Sequence, residues 1–265
     1  MKVYLSADIE GITGVTDWNE TESNKAEYGE FRQQMTKEVT AACRGALNAE
    51  ASEIWINDAH GSGRNIIAEK LLRQTVLIRG WSEHPYSMMQ EIDHSFDAVF
   101  MIGYHSRAGE KTGSLAHTYS MKFAYMTING KPVSEFMINS YIAACHNVPV
   151  VFLSGDEGVC REAGAFNAAI KSVSVKRCIG NSTINIHPSR AAEEIEKNSE
   201  IALKGNLSKA LMPLPPSFTV KIGMKKSADA YKSSFYPNVK SIDAYTIEFH
   251  TRDFFEVMRM LTFVV

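Results

Sequence analysis

Three hydrophobic runs that each close on acidic or imidazole side chains constrain this chain more than any other feature. Val3-Tyr4-Leu5 feeds into Asp8-Ile9-Glu10-Gly11, Ile54-Trp55-Ile56 ends in Asn57-Asp58-Ala59-His60, and Ala98-Val99-Phe100-Met101-Ile102 ends in Gly103-Tyr104-His105. Short continuous apolar runs read as buried strands. Between them lie segments with apolar residues at helical spacing, such as 30–47 with Phe31, Met35, Val39, Cys43 and Leu47. This alternation predicts an α/β fold, a mostly parallel three-layer sheet with helices on both faces. In such a sheet ligands bind beyond the C-terminal ends of the strands. Asp, Glu and His gathered there are the usual ligands of a divalent metal, zinc above all. The pattern is that of a metallohydrolase.

The remaining segments extend the same reading. Further strands are expected at 76–78, 150–153 and 173–177, and helices at 84–91, 134–145 and 189–203. Ser134 reads as a helix cap, and Ser154-Gly155-Asp156-Glu157 as a capping box. Residues 123–128 followed by Asn129-Gly130 read as a hairpin with a type I′ turn. Pro213, Pro215 and Pro216 mark an extended connector at 211–216. Beyond it, 218–222 and 242–249 read as strands and 251–261 as a helix. The expected organisation is a metal-binding catalytic domain over 1–210, a Pro-rich linker, and a smaller C-terminal α/β lobe over 217–265.

Composition narrows the partners. A net charge of −2 over 265 residues gives no electrostatic reason to expect nucleic acid or an anionic membrane. No apolar run approaches the roughly 18 residues of a membrane span. The short apolar stretch at the N-terminus leads straight into polar residues and does not read as a signal peptide, so a cytoplasmic protein is expected. Four scattered cysteines, Cys43, Cys145, Cys160 and Cys178, form no C-x-x-C pair and read as small apolar side chains.

Asp8 and Glu10 stand two apart at a strand end, so both can face one side. They can hold a metal or be solvated loop carboxylates. Asp58 and His60 repeat the arrangement, with Asp58 either a ligand or the carboxylate that orients one. His105 follows a buried strand almost directly. His117 ends a long polar loop, 106–118, where an exposed histidine is the plainest reading and a general acid/base the functional one. Glu135 opens a helix, where the dipole alone favours a carboxylate. His84, His94, His146, His187 and His250 show no partner pattern and read as surface residues.

Taken in order, Lys2 through Ile12, Asn57-Asp58-Ala59-His60, Gly103 through Ala108, Ala116-His117-Thr118 and Ile128 through Glu135 resemble the zinc-dependent D-aminopeptidase family found with bacterial dipeptide-transport operons. The resemblance implies two zinc ions per subunit, ligands at Asp8, Glu10, His60, His105 and Glu135 with Asp8 bridging, and a catalytic His117. It also implies a homo-oligomer, a decamer, acting on short peptides or amino-acid amides. A two-metal site activates water and polarises a peptide carbonyl. The expected activity is removal of an N-terminal residue, a D-amino acid first, with a β-aminopeptidase or broader amidohydrolase as the alternative. Two other classes compete: a peptide-binding protein without turnover, and a haloacid dehalogenase-like phosphatase. The phosphatase signature D-x-D-G-T is matched poorly by Asp8-x-Glu10-Gly11-Ile12, and it leaves the histidines without a role.

Overall fold

The computed structural model describes residues 1–264. Along the chain the strands are β1 (Lys2–Ala7), β2 (Glu53–Asp58), β3 (Thr75–Ile78), β4 (Ala98–Tyr104), β5 (Phe123–Ile128), β6 (Lys131–Pro132), β7 (Val150–Asp156), β8 (Lys171–Ile179), β9 (Ser182–Asn185), β10 (Phe218–Met224), β11 (Lys240–Ser241) and β12 (Thr246–Thr251). The α-helices are α1 (Tyr28–Asn48), α2 (Glu135–Cys145), α3 (Glu157–Phe166), α4 (Pro188–Lys204), α5 (Ser227–Ser233) and α6 (Phe254–Val264).

Seven strands form the main sheet in the order β3-β2-β1-β4-β7-β8-β9, parallel except where β9 returns antiparallel to β8. β1 lies between β2 and β4, with Leu5 opposite Ile56 on one side and Phe100 on the other. From β1 the chain steps outward to β2 and β3, then crosses back to place β4 on the far side of β1. That reversal is the topological switch point, where open α/β sheets leave a crevice beyond the strand ends. α1, α3 and α4 pack on this sheet, and α2 packs on β4. β4 is buried along its whole length, which requires cover on both faces.

Five strands form a second, antiparallel sheet in the order β11-β12-β10-β5-β6. The β5–β6 hairpin turns through Asn129 (φ 51°) and Gly130 (φ 77°), both positive as a type I′ turn requires. Residues 217–265 therefore do not build this sheet alone, since β10 pairs with β5 as well as β12. An isolated hairpin is marginal in water, so β5, with Phe123, Met126 and Ile128 buried, gains stability from the strands that arrive after the proline connector.

Local details depart from expectation where hydrogen bonds intervene. Residues 84–91 form a single 3-10 turn, Ser87–Met89, with Ser87 itself at positive φ. The cap of α3 is Asp156, whose carboxylate accepts from Val159 N, while Ser154 stays within β7. The last strand starts at Thr246, because Asp243 accepts from the backbone N–H groups of Tyr245 and Thr246 and holds a turn there.

Candidate metal centre

Asp8 and Glu10 follow β1, His60 follows β2, His105 follows β4, and Glu135 opens α2 behind its Ser134 cap, which accepts from Met137 N. The strand ends meet closely. Asp8 N donates to Ile102 O at 2.8 Å, and Gly11 N donates to Gly103 O at 2.8 Å. A Cβ on Gly103, whose φ is +74°, would lie 2.2 Å from Asp8 O, so only glycine lets β4 approach the carboxylate turn this closely.

The structure brings all six predicted site residues into one cluster, five of them at the ends of four elements, β1, β2, β4 and α2, and the sixth on the 106–118 loop. His60 Nδ1 lies 3.3 Å from Asp8 Oδ1 and 3.0 Å from Glu10 Oε2. His105 Nε2 lies 3.5 Å from Asp8 Oδ2 and 3.4 Å from Glu135 Oε2. His117 Nε2 lies 3.6 Å from Glu135 Oε1 and 4.0 Å from Glu10 Oε1. Asp8 thus faces both His60 and His105.

Each imidazole is held by a backbone carbonyl on its other nitrogen: His60 Nε2 by Thr21 O at 3.0 Å, His105 Nδ1 by Ser106 O at 3.0 Å, and His117 Nδ1 by Leu115 O at 2.9 Å. A carbonyl only accepts, so that nitrogen carries the hydrogen and the opposite lone pair points at the carboxylates. This is the tautomer a metal ligand needs. The buried atoms Glu10 Oε2 and His105 Nε2 have no hydrogen-bond partner. Unpaired buried polar atoms are rare, and here they converge on one spot. The donor set of carboxylate oxygens and imidazole nitrogens fits zinc.

Charge follows the same geometry in the metal-free protein. Burial pushes the Asp8 carboxyl well up, and the neighbouring Glu10 charge adds to the push. Burial opposes ionisation of Glu10 too, but His60 overturns it and holds Glu10 well below the usual carboxylate range. Glu135 is likewise lowered, with His105 outweighing burial. Burial works against charged His60 and His105, yet Glu10 and Glu135 respectively raise them well above the ordinary 6.5. His117 moves the other way, lowered by burial and then by His105, and is held neutral.

His117 is no exposed loop residue. Its ring stacks on His105 at 4.3 Å with 8° between planes, and Trp18 meets it edge-on at 5.3 Å. The 106–118 loop is tied at its base, where Thr118 Oγ1 accepts from Ala108 N and donates to Val133 O.

Comparison with known proteins decides the family. A model of peptidase family M55, the D-aminopeptidases, matches residues 1–263. The chain belongs to the D-aminopeptidase family. It is 29% identical over 264 residues to a D-aminopeptidase of Bacillus subtilis (strain 168), covering 98% of this chain and 95% of that protein. Its fold matches the zinc-dependent D-aminopeptidase DppA from Bacillus subtilis, described as a self-compartmentalizing protease, with a TM-score of 0.93 and 28% identity over 100% of this chain and 96% of that one.

Residues outside the cluster support the site, some in roles that the sequence reading did not assign to them. Asp58 accepts from Asn65 N, Asn65 Nδ2 and Ile66 N, so it ties the His60 loop and faces away from the cluster. Asp156 accepts from Ser106 N and Ser106 Oγ, fixing the carbonyl that orients His105. Buried Lys176 on β8 donates to the carbonyls of Glu10 and, at 2.6 Å, Val15. Nothing in a strand reading distinguishes this lysine from a solvated one; only the crossing of the 10–15 turn over β8 does. A cavity of about 250 Å³ opens onto the cluster, walled by Trp81, Ser87, Met88 and Tyr119. A larger one, about 620 Å³, runs along α1 and touches none of the six residues.

Proposed function

We propose that this chain is a zinc-dependent aminopeptidase that removes the N-terminal residue, a D-amino acid, from short peptides or amides. Asp8, Glu10, His60, His105 and Glu135 would hold two zinc ions, with Asp8 the ligand the two would share, and His117 would be the catalytic residue. The observation that carries this reading is the set of three imidazoles, each locked by a carbonyl so that its lone pair faces shared carboxylates. When bound, such a pair of ions supplies Lewis acidity and an activated water at neutral pH.

The chain's own groups do the rest. Neutral His117, with its proton on Nδ1, presents Nε2 as the base that takes a proton from the attacking water. The same nitrogen then returns that proton to the leaving amine. The stack on His105 and the edge of Trp18 fix the ring's plane and exclude bulk water from it. Glu10 and Glu135 face His117 and stabilise the imidazolium formed between the two transfers. A free amino terminus, in its neutral form, keeps a lone pair that a zinc ion would accept; an acetylated nitrogen does not.

The relative described as self-compartmentalizing supports a homo-oligomer here, a decamer by the family resemblance. Tyr231 and Phe235, each 70% exposed and packed on one another at 5.0 Å, present an aromatic surface suited to a second copy. No helix among the described residues is long and apolar enough to cross a membrane. The four free cysteines are consistent with a reducing cytoplasm.

The deciding experiment combines metal analysis with a peptide panel. Two zinc ions per chain are expected, with hydrolysis of D-Ala-Gly lost on chelation and N-acetyl-D-Ala-Gly inert. Equal rates on capped and free peptides would point to a broader amidohydrolase, and one ion per chain would end the paired-metal assignment.

A further inference from the structure

Beside the cavity over the metal cluster lies a second one of about 160 Å³, walled by Trp81, Pro85, Tyr119, Met258 and Leu261, with Glu83 and His84 at its exposed rim. Trp81, Ser87 and Tyr119 line both cavities, so the two meet at these three residues. The wall they share is unusually fixed. Tyr119 is held at φ 58° and Ser87 at φ 46°, conformations that side chains larger than glycine seldom adopt. Such backbone persists where surrounding structure enforces it, and it concentrates at ligand-binding places.

Hydrogen bonds supply that enforcement. Tyr119 N donates to the proposed ligand Glu135, at 2.6 Å to Oε1, and Tyr119 Oη donates to Asn139 Oδ1 at 2.7 Å. Trp81 Nε1 donates to Gly61 O at 2.8 Å, next to His60. Tyr119 is therefore positioned by α2, which carries Glu135, and Trp81 by the loop that carries His60. On its far side the cavity is closed by α6, which contributes Met258, Leu261 and Thr262. A further cavity that touches His60, lined by Thr21, Glu22, Asn24 and Ser62, contains no comparable apolar wall.

We propose that the cavity between Trp81, Tyr119 and α6 is a specificity pocket that receives an apolar side chain of a residue flanking the scissile bond. The inference rests on the aminopeptidase reading and deepens it. At 160 Å³ the pocket is smaller than the roughly 300–1,000 Å³ of sites that hold whole drug-sized ligands, and suits a single side chain. Its aromatic and aliphatic walls favour an apolar side chain over a charged one, whose charged end would find ionisable partners only at the exposed rim, at Glu83 and His84. α6, remote in sequence from every metal-facing residue, thereby becomes a determinant of substrate choice.

Two dipeptide series on zinc-loaded enzyme test this and identify the position read. One varies the second residue after D-Ala through Gly, Ala, Leu, Phe and Lys. The other varies the D-residue before Gly in the same way. kcat/KM is expected to rise by about tenfold or more from the smallest to the leucine side chain in one series, and to fall for Lys. Leu261→Ala should move the optimum towards Phe, whereas Thr262→Phe, at an exposed position of the rim, should remove the gain from Leu and Phe. Flat profiles in both series, or profiles that neither variant changes, would overturn the pocket while leaving aminopeptidase activity on small peptides in place. If the zinc-loaded protein cleaves no peptide, the function proposed above fails, and calorimetry with D-leucinamide and glycinamide still decides the pocket. Tighter D-leucinamide binding that Thr262→Phe abolishes supports it; equal binding overturns it.

Discussion

His105 and His117 stack face to face, yet their environments push them in opposite directions. His105 is raised well above 6.5 because, against the cost of burial, it faces Glu135 and Glu10, while His117 is lowered by burial and by His105 itself. Pairs of titratable groups whose surroundings drive their pKa values apart divide into different roles. The proposed division is His105 as ligand and His117 as acid/base. His117→Ala should therefore lower kcat by roughly 10²–10⁴-fold with metal content unchanged, the range for loss of general acid/base catalysis. Asp8→Ala should lose metal and activity together. Metal analysis beside steady-state rates separates the two; a metal-free His117→Ala protein would make His117 a ligand.

The site is held by crossings between elements. β1, β2 and β4 run parallel and end together, so residues that follow them meet without long excursions. Around them, Asp156 at the β7–α3 junction holds Ser106 beside His105, and Lys176 of β8 reaches under the turn that carries Glu10. Burial depresses the Lys176 ammonium, while the carbonyls of Glu10 and Val15 and nearby anionic groups favour its charged form. Lys176→Met keeps most of the volume and removes both donors. Leaving two buried carbonyls unpaired should cost on the order of 3 kcal/mol of stability. The displaced Glu10 turn should also hold zinc more weakly. Urea unfolding and competitive zinc titration measure these separately; wild-type values in both would remove Lys176 from the support of the site.

In the whole molecule the cluster links metal binding to stability and pH. Without metal, the raised imidazoles of His60 and His105 stabilise the fold fully below their ordinary 6.5, and that contribution is lost as pH rises through their folded-state values. The raised Asp8 carboxyl has the same sign, since the folded state again binds the extra proton. Glu10 and Glu135, lowered from 4.5, contribute above that value and lose their contribution as pH falls through their lowered folded-state values. Metal-free protein should thus be favoured by this cluster between about pH 4.5 and 6.5. Bound zinc, competing with those protons, should raise Tm by an increment that grows from pH 6 to 8. Calorimetric scans of chelated and zinc-loaded protein at fixed ionic strength measure that increment; one constant with pH would mean that the imidazoles do not exchange protons for metal.

How much of this was legible beforehand follows from the range of each interaction. Apolar runs, helical spacing and the Asn-Gly turn act over a few residues, so β1, β2, β4, α1, α4 and the β5–β6 hairpin could be read directly. Placement of Asp8, His60 and His105 at one sheet edge was equally readable, because parallel strands carry their C-terminal ends to the same side. The other features required contacts between distant segments. The pairing of β5 with β10 joins strands about ninety residues apart, as Ile128 opposite Val220 shows. The burial of His117 depends on Trp18, and that of Lys176 on the turn after β1. Asp58 could be read as a ligand or as the carboxylate that orients one, and its carboxylate turns to Asn65 and Ile66. Local sequence determined which segments would be strands and which polar groups would end them. Long-range packing determined which of those groups face one another, because burial and hydrogen-bond partners arise only when the chain closes on itself.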